Sequence, residues 1–226
     1  MAVRVLCFKK GITMATVFLI NTGTSLIEEL LPALNRLQDV AVHPVVLSGF
    51  GIEYELDFHQ QNNVFLIPTP LFNELTEFNM GYTALLLEYL SNLAGWIQKM
   101  VRVLVQQKKP GTFIFFTTNP NVQSFLDYPI SPILDESIHS LIKTLAKELH
   151  SLHFHFYGLC LEPLHCLVTD ALQIRSYRKK MAAHSISKLP LKMDEVCTLV
   201  QAICNGQLPL VSGSVLPVGY GSVLSY

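Results

Sequence analysis

The sequence predicts an α/β fold with a mostly parallel sheet. Two observations carry this expectation. Short, continuous apolar runs alternate with longer segments of helical apolar spacing, and turn residues fall between them. The run ATVFLIN (15–21) reads as a strand buried on both faces, because its apolar residues do not alternate with polar ones. SLIEELLPALNRLQ then repeats apolar residues at Leu26, Leu30, Leu34 and Leu37, one face of a helix. HPVVLSG and NVFLIPTP are two further strands. From Thr83 to Lys108 apolar positions recur at Leu86, Leu90, Leu93, Ile97, Met100 and Leu104. Trp96 and Val103 add a second stripe there, so this helix is expected to bury two sides. Pro110-Gly111 is a turn before the strand GTFIFFTTN. Ser137–His150 is a helix with Ile138, Leu141, Ile142, Leu145 and Leu149 on its apolar side, and FHFYGLCL follows as a strand. MDEVCTLVQAICNG is a helix with Gly206 at its C-terminal cap, and SGSVLPVG closes as a strand.

Composition narrows the function classes. With 226 residues, 50% hydrophobic and 15% charged, one domain with a sizeable core is expected. Met14 opens directly on the first strand, so the domain is assigned to 14–226 and residues 1–13 to an N-terminal extension outside it. A net charge of −1 without a basic run argues against a nucleic-acid partner. No apolar run approaches the roughly 18 residues of a membrane span, and MAVRVLCFKKGIT is too short and interrupted for a signal peptide. The five cysteines form no CxxC pair, which suggests reduced thiols and a cytoplasmic protein. His150, His153, His155, Cys160, His165 and Cys166 cluster in sequence but lack any standard ligand spacing, so no metal is expected.

Several strings resemble the short-chain dehydrogenase/reductase family. LAKEL is similar to its helix leading into the sixth strand. LEPLHCLVTD is similar to its Pro-Gly turn and nicotinamide-side threonine, here Pro163 and Thr169. The stretch from LPLKMDEV to VLPVGYG is similar to its closing helix and strand, and LSNLAGWIQKM to its long interface helix. The resemblance covers nearly the whole chain from Met14 and is most specific in the C-terminal half. It implies a Rossmann-like doubly wound parallel sheet with helices on both faces. The span from HPVVLSG to NVFLIPTP has no room for the usual helix, strand and helix. The fold is therefore expected to be shortened in the second-to-fourth strand region.

The resemblance also assigns site positions, and the chain departs from most of them. Asn92 falls on the family's structural-catalytic asparagine and Thr118 on its serine. The tyrosine position falls on Ser131 and the lysine position on Asp135. The nearest tyrosine, Tyr128, has Pro132 four residues on, so no shift of register restores the pair. The tyrosine exchanges a proton, and the lysine ammonium lowers its pKa; a serine is too weak an acid, and an aspartate has the wrong charge. In the phosphate loop, TGTSLIEE keeps Thr22 and Gly23, but Leu26 and Glu28 replace the later glycines. Those glycines allow close backbone approach to the pyrophosphate, and a carboxylate there repels it. IPTP (67–70) stands where the family has NNAG.

The expectation is thus a catalytically inactive family homologue that acts as a structural or regulatory subunit. It would have no intact catalytic residue and no cofactor, keeping only Thr22, Gly23 and Thr169 as remnants of the nucleotide site. Its partner would be itself or an active paralogue, joined through the two long helices by Trp96, Met100, Val103, Ile138, Leu141 and Leu145. Two alternatives stay open. One is an atypical NAD(P)-dependent oxidoreductase of acyl or keto substrates, or a non-redox lyase or isomerase in the same pocket. The other is a small-molecule binding module in the vacated cleft.

Overall fold

The computed structural model describes residues 15–21, 26–37, 40–46, 63–69, 82–118, 132–162, 164, 175–176, 178–179, 190–208 and 212–220. The extension assigned to 1–13 lies outside them, as do Ser131, Thr22, Gly23 and Thr169. Six strands form one sheet: β1 (Ala15–Asn21), β2 (Val40–Val46), β3 (Asn63–Pro68), β4 (Gly111–Thr118), β5 (Phe154–Leu161) and β6 (Val215–Val218). Their spatial order is β2-β1-β3-β4-β5-β6, and every neighbouring pair is parallel. The helices are α1 (Leu26–Leu34), α2 (Tyr82–Gln106), α3 (Pro132–Leu149) and α4 (Met193–Cys204).

This is the doubly wound, shortened sheet that the sequence predicts. β3 pairs directly with β1, on the side away from β2, and among the described residues β2 is the edge of the sheet. The order reverses between β1 and β3, which makes that junction the topological switch point. Pro44 lies in β2 and Pro217 in β6, the two edge strands, where a missing N–H does not interrupt a ladder between neighbours on both sides.

Strand alternation divides the core in two. Val17, Leu19, Val64, Leu66, Ile114 and Phe116 face α1 and α4. Phe18, Ile20, Phe65, Ile67, Phe113 and Phe156 face α2 and α3. Register puts Phe18, Phe65, Phe113 and Phe156 side by side, and their rings stack at centroid distances of 5.1, 4.7 and 4.9 Å. Trp96 closes the row edge-on against Phe65 and Phe113. Gly111 is needed at the start of β4, because a Cβ there would lie 2.8 Å from Leu104 Cδ1.

Element ends shift slightly from their sequence expectations. α3 begins at Pro132 rather than Ser137, since proline's fixed φ suits a first helical turn whose N–H groups have no partner in the helix. Gly206 follows α4 with a left-handed φ of 68°, as expected of a residue ending a helix. Among the described residues no helix is long and apolar enough to cross a membrane.

Candidate functional site

The carboxyl ends of β1, β3, β4 and β5 form the edge where ligands bind in open α/β sheets. On that edge β4 ends in Thr117 and Thr118, and α3 brings Asp135 over them from its first turn. The Thr118 backbone N–H donates to Asp135 Oδ1 at 3.4 Å, and its hydroxyl donates to Oδ2 at 3.1 Å. Asp135 is only 5% exposed. Burial pushes its carboxyl up to about 6, against the two Thr118 hydrogen bonds that lower it, and Glu136 adds to the rise.

The next residues on each element complete the wall. Thr117 Oγ1 lies 3.0 Å from His139 Nε2, one turn along α3 from Asp135. Burial lowers the His139 pKa, while nearby Glu136, 3.9 Å away at Oε1, opposes the shift. The Cys160 thiol on β5 also hydrogen-bonds Thr117, and burial pushes it up to about 12, which disfavours the thiolate. From α2, the Tyr89 hydroxyl is buried without a hydrogen-bond partner, and burial and then the Asp135 charge raise its pKa. At the exit of β3, Thr69 donates its N–H and its hydroxyl to Phe116 O at 3.0 and 2.6 Å, tying this loop to β4. Past β5, Glu162 is 6% exposed and accepts the Tyr220 N–H at 3.1 Å. Gly219 makes room for it, since a Cβ there would strike the Glu162 side chain.

Of the positions read from sequence, the structure brings Thr118 and Asp135 together. Asn92 is not with them; it lies on the exposed face of α2. The α2 group within electrostatic reach of Asp135 is Tyr89, which sequence reasoning missed. Its signal was weak: one tyrosine inside an apolar stripe reads as core. Among the described residues no group of three or more His, Cys, Asp or Glu is placed to hold a metal ion.

The expected interface needs correction. Trp96 is 5% exposed, Met100 2% and Ile138 0%, all within the core shared by α2, α3 and the sheet. Trp96, from the second stripe on α2, lies edge-on against Phe65 and Phe113 of the sheet, so that stripe also meets the core. Val103, Leu141 and Leu145 are only partly buried and remain available.

No protein-family model and no curated protein sequence matches the chain. Solved structures do. An acetoin dehydrogenase from Salmonella typhimurium superposes with a TM-score of 0.65 at 13% identity, covering 94% of this chain and 99% of that one. A 4-hydroxyisoleucine dehydrogenase complexed with NADH has a TM-score of 0.63 at 7% identity, over 94% of this chain and 100% of its own. The fold is that of the short-chain dehydrogenases and reductases. A small-chain dehydrogenase in complex with NADPH also shares it, with a TM-score of 0.60 at 12% identity over 94% of this chain and 100% of its own.

These findings overturn the expectation of no cofactor, since structures with the short-chain dehydrogenase fold, matched over nearly their whole length, hold NADH and NADPH. The physical reason lies in α1. The expectation put Glu28 in the phosphate loop, but Leu26, Ile27 and Leu30 are buried while Glu28 and Glu29 are exposed on the helix's outer side. The glycines alter how closely a backbone approaches; they do not create the switch point.

Proposed function

We propose that this chain is a nicotinamide dinucleotide-binding protein of the short-chain dehydrogenase fold without the usual tyrosine–lysine relay, serving as a structural or regulatory subunit. The observation that carries this reading is the contact between Thr118 and Asp135. With its carboxyl at about 6, Asp135 is mostly ionised at neutral pH, so the single hydroxyl proton of Thr118 is committed to it. Thr118 then has no proton to offer a substrate carbonyl. A carboxylate also carries the wrong charge beside the oxyanion that forms when a carbonyl is reduced.

A dinucleotide fits this frame. β1 and β3 are adjacent at the switch point, and α1 starts shortly after β1 with its acidic side chains turned to solvent. Thr22 and Gly23, with the first N–H groups of α1, would hold the diphosphate, and Thr169 would lie on the nicotinamide side. The bound dinucleotide would supply a hydride donor or acceptor.

The partner is a second copy or an active paralogue. Support comes from α3, where exposed Ile133 and partly buried Leu141, Leu145 and Leu149 recur at four- and eight-residue spacing on one side. An apolar strip of this kind is seldom left in water.

One specific observation favours a second reading, an atypical oxidoreductase of acyl or keto substrates. A buried acid that titrates near neutrality is suited to proton transfer, and Asp135 is such an acid. Two measurements on the purified chain test the choice: thermal shift with NADH and NADPH, and turnover of a panel of keto substrates. Stabilisation without turnover supports the subunit reading. Turnover that is lost in Asp135→Asn supports the second. Absence of any shift removes the dinucleotide from both.

A further inference from the structure

We propose that the buried Asp135 carboxylate makes this chain prefer the oxidised, cationic form of a nicotinamide dinucleotide over the reduced form, so that it reports redox state by occupancy. The inference deepens the dinucleotide-binding reading and rests on it. In a doubly wound sheet the dinucleotide lies across the switch point, its diphosphate at the N-terminus of the first helix. The adenosine ribose is read at the end of the second strand, about 20 residues beyond the phosphate loop. The adenosine half therefore belongs on the β2 side, and the nicotinamide half on the β3 and β4 side, where Asp135 stands.

Among the described residues, the buried charge on that side is acidic. The buried ionisable side chains of the carboxyl edge are Asp135 and Glu162, and no lysine or arginine is buried among the described residues. Thr118, through neutral donors, holds the Asp135 carboxyl. Of the other groups facing it, Glu136 on α3 is acidic, and burial keeps His139 on α3, Tyr89 on α2 and Cys160 on β5 in their neutral forms near pH 7. The Tyr89 hydroxyl is an independent pointer to a ligand. It is buried, within electrostatic reach of the same carboxyl and without a hydrogen-bond partner, a state that native proteins rarely keep, and the nicotinamide carboxamide offers both a donor and an acceptor.

The two redox forms differ here by one unit of charge. The oxidised ring is a pyridinium cation and the reduced ring is neutral, so a carboxylate in a low-dielectric wall attracts the first and not the second. Because Asp135 titrates at about 6, the preference is present above that pH and fades as the carboxyl takes up a proton.

Isothermal titration of the purified chain with NAD+, NADH, NADP+ and NADPH near pH 8 and near pH 5.5 tests this. The oxidised form of whichever dinucleotide binds should be held about tenfold more tightly at the higher pH, with the gap narrowing at the lower. Asp135→Asn should bind both forms and close the gap near pH 8. Equal affinities for the two forms in the unmodified chain near pH 8, or an unchanged gap in Asp135→Asn, would overturn the inference and leave dinucleotide binding standing. Binding of neither form would overturn the dinucleotide reading itself, and this inference with it.

Discussion

An aspartate that is 5% exposed is costly to ionise, even with hydrogen bonds from Thr118 that favour its charged form. The folded chain raises the Asp135 carboxyl from 3.8 to about 6, so it holds the proton more tightly than the unfolded chain does. The associated stability is fully present below the unfolded value and is lost as pH rises through the folded one. A shift of this size corresponds to about 2–3 kcal/mol, an upper bound for one site. Asp135→Asn should therefore stabilise the protein by about 1–3 kcal/mol near pH 8 and by little near pH 4. Urea unfolding at the two pH values measures the difference; equal effects at both would show that Asp135 is not buried as a charged group. A second prediction concerns a residue with no side chain. Gly111→Ala would bring a Cβ to 2.8 Å from Leu104 Cδ1 and 3.0 Å from Phe154, and overpacking of this kind costs about 1–3 kcal/mol. The same denaturation measurement reads it.

Among the elements, α2 and α3 separate core residues from surface residues that looked alike in sequence. Trp96 lies edge-on to Phe65 and Phe113, so Trp96→Ala should cost about 3–5 kcal/mol of folding stability, whatever the state of association. Leu145 is partly buried on α3 and packs against the core at its rim, so Leu145→Glu should cost the isolated chain about 1 kcal/mol, well below the Trp96 change. If the strip is an interface, the same change should dissociate the assembly in sedimentation, because the charge would be desolvated there. A stable monomer of the unmodified protein, both alone and co-expressed with a paralogue encoded nearby, would remove the subunit reading. Helical spacing identified both helices correctly. It could not say which apolar stripe meets the sheet, because a helix packed on two neighbours shows the same pattern as one packed on a neighbour and a partner.

At the scale of the whole molecule, the ligand and the fold are linked by mass action. Dinucleotide at 100 times its dissociation constant should stabilise the chain by about 2.7 kcal/mol, which is read as a rise in Tm. Glu28→Ala should change that shift little, because the carboxylate lies on the outer side of α1. A large increase in affinity on removing Glu28 would mean that it does repel the diphosphate.

The sequence by itself determined the layered architecture. Unbroken apolar strands can be covered only by helices on both faces, and the short span between HPVVLSG and NVFLIPTP leaves no room for a further helix, strand and helix together. That no tyrosine has a lysine four residues on is likewise a matter of residue identity alone. Tertiary structure decided the rest, because burial and approach are properties of packing. It turned Glu28 away from the sheet, took Trp96, Met100 and Ile138 into the core, left Asn92 in solvent, and brought Tyr89 and Thr118 to Asp135. None of these groups is near the others in sequence: Thr118 ends a strand, Asp135 opens a helix, and Tyr89 belongs to the helix before both. Only the parallel sheet, which gathers strand ends and helix starts on one edge, makes them neighbours.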